Sequence, residues 1–195
     1  DPVRTMIDRN VFARWREALL PAVQAAGEAI LEIRAKGFEV QNKADTSPVT
    51  AADHAAEAIV LKTLTTLSPV FPVVAEERVA AGTIPDCKDA FWLVDALDGT
   101  KEFIKGGTDF TVNVGFVYQC RPVFGIVGAP ARNETFAGII DPASGHKEAF
   151  IIRGGARQAI AVRPRPREVV VVGSKSHEVP DRKSTRLNSR HVKRS

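Results

Sequence analysis

Five carboxylates define the chemistry open to this sequence: Asp53, Glu76, Glu77, Asp95 and Asp98. Asp95 and Asp98 stand three residues apart at the end of the apolar run Phe91-Trp92-Leu93-Val94, and Gly99-Thr100 follows them. Four consecutive apolar residues read as a fully buried strand. In open α/β sheets, ligands gather at the C-terminal ends of strands. Asp-x-x-Asp at such an end can hold a hard cation through oxygen, and the amides of Gly99 and Thr100 can open a helix that faces an anion. Cation and anion side by side point to phosphoryl chemistry. The same decapeptide reads equally as a strand ending in an ordinary Asp-Gly turn, with Asp95 as its cap.

The other acids sit on separate elements. Glu76-Glu77 closes a short strand over residues 70–75, nineteen residues before Asp95, and Pro72 puts that strand at an edge or a beginning. Adjacent acids in that position are commonly just solvated. Thr50 with Asp53 three residues later resembles a capping box opening a helix to about Leu67, with Ala52, Ala56, Ile59, Thr63 and Leu67 along one face. The helix dipole alone favours a carboxylate at Asp53, and His54 beside it reads as a surface residue. Considered together, five acids near one sheet edge repel one another unless cations lie among them. Carboxylate oxygens without His or Cys favour Mg²⁺ over zinc or copper. Two such ions can clamp a phosphate and lower the pKa of a bound water, with the Gly99 and Thr100 amides as further donors. None of His54, His146, His177 and His191 has ligand spacing with another, and no Ser-His-Asp set is visible.

These residues need elements to position them. Phe12, Trp15, Leu19, Val23, Ala26, Ile30 and Ile33 recur at helical spacing, which predicts a helix over 9–36 that stops at Gly37 and is broken or kinked near Leu20 by Pro21. Residues 43–50 are polar and proline-broken, a loop or ragged hairpin. Residues 101–104 read as a short helical turn closed by Gly106-Gly107. Strands are expected at 110–118, 123–129, 135–140 and 146–152, at the spacing of an antiparallel meander. A basic connector then starts at Gly154-Gly155, and an apolar strand over 169–172 leads to Ser176-His177.

The chain has 195 residues and a net charge of +4, but residues 181–195 hold six Lys/Arg and one Asp, so the rest carries 21 basic and 22 acidic residues, a net of −1. The high pI therefore belongs to a tail, expected to be disordered and non-native, and gives no nucleic-acid footprint. A nucleic-acid arm is the alternative for that tail. No apolar run reaches the length of a membrane span. Cys87 and Cys120 lack metal or disulfide spacing and read as reduced thiols of a cytoplasmic protein.

Residues 43–53 (Lys-Ala-Asp-Thr-Ser-Pro-Val-Thr-Ala-Ala-Asp), Ala75-Glu76-Glu77 and residues 92–104 (Trp-Leu-Val-Asp-Ala-Leu-Asp-Gly-Thr-Lys-Glu-Phe-Ile) resemble, in order and spacing, the three N-terminal motifs of the inositol monophosphatase superfamily. Glu102-Phe103 after Thr100 is similar to its 3′(2′),5′-bisphosphate nucleotidase branch rather than to the inositol monophosphatases. The resemblance implies an α/β class, a layered αβαβα sugar-phosphatase-like fold. Its first half would be complete, with a mixed or antiparallel sheet, over residues 1–155, and its second half only begun over 156–180. It implies that Glu76, Asp95, Asp98 and the Leu97 carbonyl bind two or three Mg²⁺ ions, Asp98 bridging two of them. Glu77 would support a further metal and its water. Asp53 with Thr100 would activate the attacking water, and Gly99 and Thr100 would cradle phosphate. Ser176 and His177 would meet the nucleotide, and Lys43 would approach the metal-water site. The implied activity removes the 3′-phosphate of 3′-phosphoadenosine 5′-phosphate, a small phosphorylated nucleotide, without a covalent phosphoenzyme. Li⁺ inhibition and a role in sulfur assimilation come with it. Alternatives are an inositol-1-phosphatase or other sugar phosphatase, or a metal- and phosphate-binding fragment without turnover. A homodimer and a peripheral place at the inner membrane face are compatible with the resemblance. In two places the sequence departs from the pattern. Ala96 stands where proline is usual, and a last Trp-Asp motif with one more metal ligand is expected beyond residue 195.

Overall fold

Asp8 starts the first helix, its carboxylate accepting the Val11 N–H at 2.9 Å, and α1 then runs from Arg9 to Lys36 until Gly37 (φ 86°) ends it. Residue 3, residues 7–42, 48–164 and 166–167 are the ones described by this computed structural model. Lys43, residues 169–172, Ser176, His177 and the tail 181–195 lie outside them. Contrary to the expected break, α1 continues through Pro21. Pro21 faces solvent, where water can satisfy the carbonyl it leaves without a partner, and the buried residues flanking it, Leu19, Ala22 and Val23, hold both halves to the core.

A hairpin follows, as the proline-broken stretch predicts: β1 (Val40–Asn42) pairs antiparallel with β2 (Pro48–Thr50). Thr50 then caps α2 (Ala51–Leu64) in a capping box with Asp53. The strand expected over 70–75 forms only at its end, as β3 (Val73–Ala75), and the acids after it open a short helix, α3 (Glu76–Ala80). Next come β4 (Ala90–Asp98), α4 (Thr100–Ile104) and the meander β5 (Thr111–Tyr118), β6 (Arg121–Ala129), β7 (Glu134–Ile140), β8 (Lys147–Arg153) and β9 (Ala156–Ala159). The last strand lies where the sequence reads as connector, and it carries the sheet past residue 155. All of these elements belong to one compact unit, Asp1–Ala161.

The seven strands follow the order β3-β4-β5-β6-β7-β8-β9, so sheet neighbours are sequence neighbours. Only β3–β4 is parallel; every other pair is antiparallel. The fold is thus mixed α/β. β4 is not the fully buried strand that its apolar run predicts. Trp92 and Val94 point into the core while Leu93, between them, is 49% exposed. The inward residues meet an aromatic cluster in which Trp15 of α1 lies 4.7 Å, centroid to centroid, from both Trp92 and Phe116. Gly128 lets α1 approach β6, since a Cβ there would sit 2.6 Å from Val23 Cγ1. Among the described residues no helix is long and apolar enough to cross a membrane.

Candidate active site

The parallel pairing of β3 with β4 aligns Val73 with Trp92, Val74 with Leu93 and Ala75 with Val94. The next residue after each is acidic, so Glu76, which opens α3, and Asp95, still within β4, follow adjacent paired positions. Their proximity shows in the chemistry of Asp95, whose carboxyl is pushed up to about 7. Burial is the main cause, followed by the charge of Glu76, a hydrogen bond with Glu76 and the charge of Asp98; the Leu97 N–H, donating to Asp95 Oδ1 at 3.3 Å, pulls the other way. Asp95 therefore holds its proton more tightly than an ordinary carboxyl, and a bound cation would offset the charge it gains on losing it. Among the described residues no three acid, His or Cys side chains are gathered as a metal-binding group, Glu76, Asp95 and Asp98 included. Their electrostatic contact nevertheless marks them as one cluster, and an all-oxygen donor set fits a hard cation such as Mg²⁺.

A bulge shapes the rest of the turn. Asp95 pairs with Asn113 and Asp98 with Thr111, so β4 carries one residue more than β5 over this stretch. Ala96 and Leu97 are both buried, and Asp98 emerges exposed, with Asn113 Nδ2 donating to its Oδ2 at 3.4 Å. Ala96 therefore serves in place of proline because the bulge, not a fixed φ, aims Asp98. Gly99 is required by geometry. Its φ is 91°, and a Cβ would lie 2.7 Å from the Asp109 carbonyl oxygen.

Asp53 closes the site from α2. It is 2% exposed, so the first-turn position that the helix dipole favours is here also a buried one. Its Oδ2 accepts the Thr50 N–H and hydroxyl, each at 2.7 Å, and its Oδ1 lies 3.1 Å from Thr100 Oγ1. Thr100 Oγ1 is also 3.1 Å from the Leu97 carbonyl, so one hydroxyl proton faces two acceptors. Asp53 and the Leu97 carbonyl thus meet at the Thr100 hydroxyl, while Glu76 and Asp98 each bear on Asp95. Glu77 is half-buried, and its N–H donates to Glu57 Oε2 at 2.8 Å. His54 is exposed. Glu57 and Asn113 are site residues that sequence reasoning missed. Glu57 lies one turn after Asp53, on the face that buries Ala52, Asp53, Ala56, Val60, Leu61 and Leu64. That spacing was the available signal, obscured because an acid reads as solvent-facing.

A family model described as the inositol monophosphatase family matches residues 13–194. The chain belongs to the inositol monophosphatase family. Among relatives, it is 41% identical over 154 residues to the 3′(2′),5′-bisphosphate nucleotidase CysQ of Escherichia coli O157:H7, covering 78% of this chain and 60% of that protein. It is 40% identical over 163 residues to the protein of that name from Salmonella typhimurium, covering 83% and 63%. The crystal structure of CysQ from Bacteroides thetaiotaomicron, described as a bacterial member of the family, matches with a TM-score of 0.64 at 29% identity over 87% of this chain and 65% of that one. The extragenic suppressor protein suhB of Bartonella henselae shares the fold at a TM-score of 0.57 and 23% identity, over 78% of this chain and 54% of that one. The chain therefore spans less than two-thirds of the length of these relatives.

Proposed function

We propose that the protein is a Mg²⁺-dependent phosphatase that removes the 3′-phosphate from 3′-phosphoadenosine 5′-phosphate, giving AMP and phosphate. The observations that support the reaction type are the Thr100 hydroxyl set between Asp53 Oδ1 and the Leu97 carbonyl, and the β3–β4 register that leads into Glu76 and Asp95, the latter a carboxyl pushed up to about 7 by burial and by Glu76 and Asp98. Such a cluster is suited to a divalent cation and is costly without one. The substrate class rests on the 40–41% identity to proteins named 3′(2′),5′-bisphosphate nucleotidase.

In this reading Glu76, Asp95, Asp98 and the Leu97 carbonyl hold the cations, two or three in number, with Glu77 supporting one of them. Bound there, Mg²⁺ supplies Lewis-acid charge to the phosphoryl oxygens and acidifies water. Thr100 and Asp53 orient the attacking water. Their 3.1 Å contact gives the Thr100 hydroxyl an acceptor, so Thr100 can take a proton from water as it gives its own to Asp53. The new P–O bond forms as the bond from phosphorus to the 3′-oxygen breaks, and the departing oxygen is protonated from solvent. The Gly99 and Thr100 amides lie where the left-handed turn at Gly99 opens α4, and they cradle the phosphate. The family resemblance would also bring Ser176 and His177 to the nucleotide and Lys43 to the water, three residues outside those described. Free Cys87 and Cys120 accord with a cytoplasmic setting.

The test is phosphate release from 3′-phosphoadenosine 5′-phosphate and from inositol 1-phosphate, each with and without Mg²⁺. Release from the nucleotide alone, dependent on Mg²⁺ and inhibited by Li⁺, is the expected result. Preference for the inositol ester moves the assignment to the sister branch, and metal binding without release from either ester leaves a binding role.

A further inference from the structure

Helix α2 buries two carboxylates one turn apart, and the reaction proposed above uses only the first. The second, Glu57, is 5% exposed. Its Oε2 accepts the Glu77 N–H at 2.8 Å, and the Arg78 N–H is also within its reach as a hydrogen-bond donor. Glu77 and Arg78 are the second and third residues of α3. The first amides of any helix have no acceptor within it, and Ala75, the N-cap of α3, supplies no side-chain bond. A carboxylate from another helix takes over that duty, twenty residues away in the chain.

Glu57 does this at a cost. Burial is the main force raising its carboxyl above the ordinary range, and the negative charge of Glu77 adds to it, while the Glu77 and Arg78 amides and the Arg78 charge oppose it. A side chain serving only to fill the space between α2 and α3 could be apolar and would incur no such penalty. The turn it holds carries Glu76, which acts on Asp95 through its charge and a hydrogen bond. That turn follows a three-residue strand that, among the described residues, pairs on one side only.

We infer that Glu57 is a positioning residue for the metal-binding acids. It ties the Glu76–Glu77 turn to α2, just as Asp53, one turn earlier, ties Thr100 to the same helix. Helix α2 is then a two-pronged clamp. One prong sets the groups that orient water, and the other sets the distance from Glu76 to Asp95 and Asp98. The inference rests on the phosphatase reading for its consequence, but the hold on the turn is a property of the chain itself.

Glutamine and methionine separate the roles, because both match glutamate in length and only glutamine keeps an oxygen acceptor. The experiment compares this chain with Glu57→Gln and Glu57→Met, with Glu57→Ala as a second acceptor-free variant should the methionine variant not fold. Hydrogen exchange at the amides of residues 77 and 78 is read without metal, and Mg²⁺ affinity is read by calorimetric titration. The acceptor-free variant is expected to lose tenfold or more of the protection at both amides and about tenfold of the Mg²⁺ affinity, the usual scale for a lost outer-shell partner. The glutamine variant is expected to stay within about threefold of wild type on both, its amide oxygen replacing the carboxylate as acceptor. A folded acceptor-free variant with wild-type protection, or with wild-type Mg²⁺ affinity, overturns the inference. So does a glutamine variant as impaired as the methionine one, since charge rather than the hydrogen bond would then be at work. A wild-type chain that neither binds Mg²⁺ nor releases phosphate overturns the phosphatase reading instead, and the exchange contrast alone then decides whether Glu57 holds the turn.

Discussion

From β5 to β9 each strand folds back on its predecessor, whereas at the other end of the same sheet β3 and β4 run parallel and their ends are held by side chains of α2. The meander is local. Alternation sends Val112, Val114, Phe116 and Tyr118 of β5 into the core, and short turns set the register. The acid edge is not local. Asp53 reaches Thr100 across forty-seven residues and Glu57 reaches Glu77 across twenty. Apolar contact stabilises the first region, while the second keeps buried and clustered carboxylates that lower stability when no cation balances them. One region supplies the scaffold and the other concentrates the strain that the proposed chemistry uses.

The sharpest way to break this contrast is to substitute each side and ask what is lost. Asp53→Asn keeps the shape of the side chain but removes the acceptor charge facing Thr100. It is expected to lower kcat at saturating Mg²⁺ by about a hundredfold to ten-thousandfold, the range for a lost general base, while thermal melting shifts by only a few degrees. Phe116→Ala in the meander is expected to do the reverse. Phe116 is fully buried against Trp15, Trp92 and Phe71, so its truncation should cost about 3–5 kcal/mol of stability in a denaturant titration. The activity per folded molecule should stay near wild type. Equal losses of activity in both variants would dissolve the distinction between scaffold and site.

Gly99→Ala lies on the border between the two. The substitution forces a Cβ to within 2.7 Å of the Asp109 carbonyl oxygen at a φ of 91°, and the expected cost is about 1–3 kcal/mol. Because that clash pushes the loop that carries Thr100, activity should fall more than stability alone explains. A variant that melts lower but turns over normally would show the turn to be structural only.

The same contrast explains what the sequence disclosed. The helices, the hairpin before Thr50 and the meander were legible because they follow from periodicities of 3.6 and 2 and from turn residues. The five acids were legible as a set from their spacing and their family resemblance. Burial was less legible. Leu93 was misplaced because an apolar run does not say whether one or two faces of a strand are covered. The break at Pro21, one of the two expected outcomes, did not occur because packing on both sides of it outweighed the lost hydrogen bond. Glu57 and Asn113 were missed for a different reason. Each acts through one hydrogen bond to a residue distant in the chain, and no local pattern encodes that partner. Asp53 shows both sides of this: its capping box and its pairing with Thr100 were legible, from spacing and from the family resemblance, and its burial was not.

The smallest effect is electrostatic and isolates the strain itself. In the folded chain without metal the Asp95 carboxyl is pushed up to about 7 from its ordinary 3.8. The folded state therefore keeps this proton at pH values where the unfolded state has lost it. The stability this gives is fully present below about pH 4 and is lost as pH rises through 7. Glu57, also raised by burial, acts in the same direction. After discounting for the partial exposure of Asp95, the loss between pH 4.5 and 7.5 should be about 1–2 kcal/mol. Melting in a chelator over that interval, compared with Asp95→Asn, removes the contribution of every other carboxylate. Wild type should lose stability relative to the variant as pH rises, and Mg²⁺ should restore it at pH 7.5, because a cation offsets the charge that Asp95 gains on losing its proton. If the two proteins keep a constant difference across the interval, the acid edge carries no strain, and it differs from the meander in topology alone.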